Sequence, residues 1–166
     1  MTTFVGSILF DLPNRQVVAV CATGLAGLLT GGLCFVSAVS TRSYLIHLDN
    51  EEKTAEETAK FVKTSFQVWW PSGRDYMFPL ICTTTFTHVS TWYITGQNTW
   101  LVSGALAASV AAYTAVILGE DISSLLKASS KDVESTARRF CNLHHFRPVL
   151  AGFGFCLSLI ALIRCE

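Results

Sequence analysis

VVAVCATGLAGLLTGGLCFVSAVS, residues 17–40, runs for 24 residues without a charge between Arg15 and Arg42. A helix needs about 20 mostly apolar residues to cross roughly 30 Å of hydrocarbon, so this stretch is long enough to span. A cleaved signal peptide has an apolar core of only about 7–15 residues behind a basic start, and the stretch fits neither condition. Three further segments repeat the pattern. Residues 77–95 are 19 positions with one ionisable group, His88; 99–118 are 20 with none; 148–163 are 16 with none. The last is short, which a bundle partner and local bilayer thinning accommodate. Buried helices of a soluble bundle keep a polar stripe, and 99–118 has almost none. The expected fold is all-α: one membrane domain over 1–166, built as an integral-membrane four-helix bundle.

Composition agrees with this. Of 166 residues 51% are hydrophobic and 14% charged, with a mean hydropathy of +0.43, where soluble domains carry about a quarter charged residues. Lys+Arg and Asp+Glu are both 12, so no basic excess points to nucleic acid. Four spans place both termini on one side, which holds only Arg15 and Arg164. Arg42, Lys53, Lys60, Lys63 and Arg74 lie in the first loop, and Lys127, Lys131, Arg138, Arg139 and Arg147 in the third. Ten against two orients the long loops to the cytoplasm and the termini to the lumen or exterior, in the endoplasmic reticulum or plasma membrane. Cys21, Cys34, Cys82 and Cys156 lie inside spans, where cysteine acts as a small apolar residue. Only Cys165, with Cys21, has access to an oxidising face.

Outside the spans, 2–12 reads as an interfacial segment or a cap on the bundle. Between spans one and two, Ala55, Ala59, Val62, Phe66 and Trp69 recur at the helical period, with Glu52, Lys53, Glu56, Lys60 and Lys63 opposite. This is a cytoplasmic amphipathic helix over about 50–70, which grips membrane, caps the bundle or binds a partner. Trp69 and Trp70 suit the headgroup layer as interfacial anchors, and Pro71-Ser72-Gly73 is expected to break the helix. Asp132 or Lys131 starts a further helix that feeds the fourth span. Gly27 and Gly31 in the first span, and Gly104, Ala108 and Ala112 in the third, are small residues at four-residue steps that let helix backbones approach. They serve packing within the bundle or a partner subunit.

Few polar groups stand where chemistry is possible. Thr84, Thr87, His88, Thr91 and Thr95 share one face of the second span. An ionisable group at this depth faces the bundle interior, so His88, Thr84 and Thr91 form either a ligand or proton contact or an interhelical hydrogen bond. His47, Glu120, Asp121, His144 and His145 lie on the cytoplasmic side, but no histidine pair has the i, i+4 spacing of a helical metal motif, and no metal is assigned. The remaining candidate is FCNLHHFRPVL, residues 140–150. Phe140, Leu143, His144 and Arg147 fall at i, i+3, i+4 and i+7 on one face, and Pro148 should kink or restart the helix. Membrane topology accounts for Arg138, Arg139 and Arg147 as cytoplasmic charges, yet not for the order aromatic-x-x-Leu-His-x-x-Arg.

That order resembles the Trp-x-x-Leu-His-x-x-Arg stretch before the last helix of anthrone oxygenase-like proteins, with Phe140 at the Trp position. The Gly-rich first helix from Ala26-Gly27 to Val39, the Gly-x-x-x-x-x-Pro-Leu stretch from Gly73 to Leu80, and Tyr113-Thr114 are similar too. The resemblance implies four membrane helices and, as in characterised fungal members, oxidation of anthrones to anthraquinones by molecular oxygen. It would make His144 the base that removes the activated C–H proton and Arg147 the stabiliser of the enolate oxyanion. No cofactor is implied, and no Gly-rich phosphate loop is present.

Packing features outnumber chemical ones. The residues therefore point first to a non-catalytic accessory or lipid-handling subunit of a membrane complex, with membrane lipids and a membrane protein as partners. The alternative, carried by the resemblance, is an oxygenase-like enzyme acting on a hydrophobic aromatic substrate.

Overall fold

A computed structural model of the chain describes residues 14–49, 54–127 and 132–164. The expected interfacial segment 2–12, the first residues of the amphipathic helix at 50–53, Lys131 and Cys165 lie outside them. Every described element is helical: α1 (Asn14–Phe35), a π-helical turn (Val36–Thr41), α2 (Arg42–Leu48), α3 (Ala55–Thr95), α4 (Asn98–Val116), α5 (Gly119–Lys127), α6 (Val133–His144) and α7 (Phe146–Ile163). Three helical runs are long and apolar enough to cross a membrane: Asn14–Leu48, Asn98–Val116 and Val133–Ile163. The composition and these runs are those of a membrane protein.

The segment 77–95 is the distal part of α3, and here the structure corrects the expected break. α3 continues through Pro71 and Pro79 for 41 residues, about 60 Å at 1.5 Å per residue. Each proline removes a donor to the carbonyl four residues earlier. Those carbonyls belong to Gln67 and Asp75, both exposed. Buried residues on both sides, Val62 and Phe66 before and Ile81, Thr84 and His88 after, hold the helix in register across the interruption. Thr54 starts it with a reciprocal capping box to Glu57. Gly96 ends it at φ +72°, its N–H bonding to the Trp92 carbonyl, a left-handed cap that favours glycine. Gln97 then leads straight into α4.

α1 packs against α3 and α7, and α4 packs against the same two helices, closing a ring. Its interior holds Ala19, Ala22, Trp100 and Ala161 near the Gly96 turn, and Leu29, Leu33, Ile81, Ala107, Val110 and Ala151 further along. Beyond the ring lies a second apolar cluster: Tyr44 and Leu48 of α2, Val62 and Phe66 of α3, Ile122 and Leu125 of α5, and Ala137, Phe140 and Cys141 of α6. The apolar face of the amphipathic helix is thus spent on capping the ring. Arg138 ties this layer together by donating to the Leu48 carbonyl at 2.7 Å and to Glu134 at 2.9 Å, and by pairing with Asp49.

α6 and α7 meet at His145, and Asp132 caps α6 by accepting from the Ser135 N–H at 3.0 Å. The helix restarts before Pro148, which then sits in the first turn of α7, where a missing N–H leaves no bond unmade. The restart turns the α6 end and the α7 start towards the same interior point.

Candidate functional site

That point is occupied by His144 and Arg147, only 1% and 5% exposed. Arg147 Nη1 lies 2.9 Å from His144 Nε2. A guanidinium can only donate, so Nε2 accepts, and the imidazole is the neutral tautomer with its proton on Nδ1. The Nδ1–H donates to Ser37 Oγ at 2.9 Å. Ser37 comes from the π-helical turn, whose extra residue re-aims the side chains of that turn; such turns recur at functional positions. Thr41, also in the turn, donates to the Ser37 carbonyl. Both ring nitrogens of His144 are therefore engaged.

The walls are aromatic. Phe140 packs edge-on against Phe66, Trp69 and Trp70 at 5.2, 6.0 and 5.8 Å between ring centres. Trp69 and Trp70 are half-buried in this cluster, and the Trp70 ring lies 6.0 Å from the Arg147 guanidinium, a cation–π distance. Tyr113 of α4 donates to the Leu143 carbonyl at 3.0 Å. Two spaces adjoin the pair. A cavity of about 40 Å³ lies between Leu33, Val36, Trp69, Gly73 and His144. A cleft of about 250 Å³ opens between α3 and α4, bounded by Phe78, Ile81, Ala111, Thr114 and Ala115 and closed at one end by Gly119 and Ile122 of α5. Trp70, Arg74, Met77 and Arg147 border both.

His88 forms a separate site. It is fully buried, with Nδ1 2.7 Å from the Thr84 carbonyl and Nε2 2.8 Å from Ser158 Oγ. Ser103 donates to the Gly154 carbonyl at 2.6 Å and lies 2.7 Å from Ser158 Oγ. α3, α4 and α7 are thus joined by one polar network inside an apolar ring. Thr91 is buried and donates to Thr87. Its surroundings are packed: a Cβ on Gly104 would stand 3.0 Å from His88 Cβ. A Cβ added at Gly27 would stand 3.2 Å from the Phe155 ring and one at Gly31 would meet nothing within 4 Å, while Ala108 is half-buried beside the buried Ser103, Gly104 and Ala107.

In the layer that caps the ring, Asp121 is buried with Oδ1 3.5 Å from Arg139, while Oδ2 has no partner. Burial pushes its carboxyl up, Arg139 opposes this, and Glu120 adds to the rise. His145 is exposed, whereas His144 is buried. Among the described residues no three His, Cys, Asp or Glu side chains come close enough to hold a metal ion.

The pattern of residues 140–147 brought Phe140, His144 and Arg147 into view. Ser37, Ser103 and Ser158 carry no such pattern. A serine inside an apolar run carries no positional signal until a partner helix supplies the second half of its bond. No protein-family model, curated protein or solved structure matches the chain.

Proposed function

We propose that the chain is a four-span membrane protein that handles a lipid or similar hydrophobic molecule and does so without catalysis, as an accessory component of a membrane complex. α1, distal α3, α4 and α7 would cross the bilayer, with the layer of α2, proximal α3, α5 and α6 on the cytoplasmic side. The outward residues support this: Leu28, Phe86, Tyr93, Phe153 and Ile163 are 64–85% exposed on all but α4, and Val102 and Val116 continue the belt there. A belt of this kind needs hydrocarbon around it.

The observation that carries the reading is the cleft of about 250 Å³ between α3 and α4. It is apolar and opens sideways past the exposed Phe78 and Ala115, the direction from which a molecule dissolved in the bilayer arrives. Ligand sites ordinarily occupy about 300–1,000 Å³, so the cleft holds part of such a molecule while the rest stays in lipid.

The oxygenase reading rests on one observation, the contact of His144, which lines the smaller cavity, with Arg147, which borders both that cavity and the cleft. Against it, the lone pair a base would use is already accepting from Arg147. Oxygen uptake with an anthrone decides between the two readings. The accessory reading expects no consumption above the rate without protein, and stable co-purification with a larger membrane protein in mild detergent. Anthraquinone formation by the wild type that His144→Ala abolishes would overturn it. Tags at either terminus should be reached from the lumenal or outer face, and cytoplasmic tags would reverse the orientation.

A further inference from the structure

Among the described residues Arg147 has no carboxylate to answer its charge. None of the ion pairs among the described residues includes it. Its one hydrogen-bond partner is a neutral imidazole, its stacking partner is Trp70, and its Nε is buried without any partner. Charges this deeply buried are ordinarily paired, because desolvation is otherwise uncompensated. The titratable groups found beside Arg147 are His144, Tyr113 and Arg74, none of them anionic near neutral pH. Arg74 borders the same two spaces, and it is exposed and paired to Asp75 at 2.9 Å.

With Nη1 given to His144, the edge of the guanidinium formed by Nε and Nη2 is left. That edge presents two parallel N–H groups, the geometry that grips a carboxylate through both oxygens. The adjoining cavity of about 40 Å³ has room for about three waters, which suits a carboxylate and is small for a phosphodiester with its glycerol.

We propose that Arg147 receives the carboxylate of a single-chain amphiphile whose hydrocarbon lies in the α3–α4 cleft. This rests on the reading of that cleft as a lipid site and adds the chemical class of its ligand. Arg74 at the rim guides the anion inwards, and Trp70 covers the bound charge.

The test is equilibrium binding of labelled palmitate to the full chain in lipid nanodiscs, with 1-hexadecanol and inorganic phosphate as competitors. Palmitate should bind at least tenfold more tightly than hexadecanol, and phosphate should not displace it. Arg147→Gln should lose at least tenfold in palmitate affinity and leave hexadecanol unchanged. Should that variant fail to fold, the wild-type preference for palmitate over hexadecanol still decides. Ala115→Trp, which fills the cleft from its exposed rim, should weaken both ligands alike. Equal binding of palmitate and hexadecanol, both lost in Ala115→Trp, would overturn the role of Arg147 and leave the lipid cleft standing. Binding of neither would overturn both, and displacement by phosphate would replace the amphiphile with a small free anion.

Discussion

Gly104 and Gly31 are the same residue in two opposite settings. An added methyl at Gly104 would press on His88 Cβ at 3.0 Å, and that atom is fixed by two hydrogen bonds of its ring. Overpacking costs about 1–3 kcal/mol, and the helix-propensity gain of about 1 kcal/mol for glycine to alanine offsets only part. At Gly31 nothing opposes the gain. Thermal unfolding in detergent should therefore move in opposite directions, Gly104→Ala lowering Tm and Gly31→Ala holding or raising it; a fall in both would show that the outer face of α1 is also packed. Asp121 offers a pH test. Its folded-state pKa lies above the unfolded value, so the folded protein binds the proton more tightly, and stability falls as pH rises between the two values. Asp121→Asn removes that term. The variant should match or exceed the wild type at neutral pH, with the difference shrinking on acidification through the carboxylate range. A variant less stable at neutral pH would mean that the Arg139 pair outweighs burial.

At the scale of elements, α3 separates what the residues announce from what they conceal. The amphipathic period of Ala59, Val62 and Phe66 and the apolar run after Met77 were both legible, because each is a local pattern. Their fusion into one helix was not. Pro71-Ser72-Gly73 has the residue types of a break, and only packing on both sides, by Phe66 against Phe140 and by Ile81 against the ring core, overrides local preference. Pro71→Ala restores a donor to the Gln67 carbonyl and should raise stability by about 1–3 kcal/mol, read as a higher Tm. A lower Tm would show that the proline shapes the aromatic cluster. The π-helical turn was concealed for a related reason: Val36–Thr41 reads as plain apolar helix, and the extra residue is defined by where Ser37 meets His144. The restart before Pro148 was foreshadowed, since proline fits the first turn of a helix.

For the whole molecule, the arrangement is an apolar ring with one polar network inside and an aromatic-walled charge at one end. Each member of the network of His88, Ser103 and Ser158 has a partner, and Gly104 packs closely against His88. His144 and Arg147 differ in lining open space, beside which the buried Nε of Arg147 has no partner. The pattern of residues 140–147 marks a face whose Phe140, His144 and Arg147 the fold buries. The cleft itself belongs to no one segment, being built from α3, α4, α5 and α7 together, and so no single stretch announced it. The account stands on that cleft holding a molecule from the bilayer. The direct measurement is native mass spectrometry of the full chain released from lipid nanodiscs, compared with Ala115→Trp. The account predicts a retained lipid-sized mass on the wild type that the variant loses while staying folded. A wild type that carries no such mass, or a variant that keeps it, would contradict it.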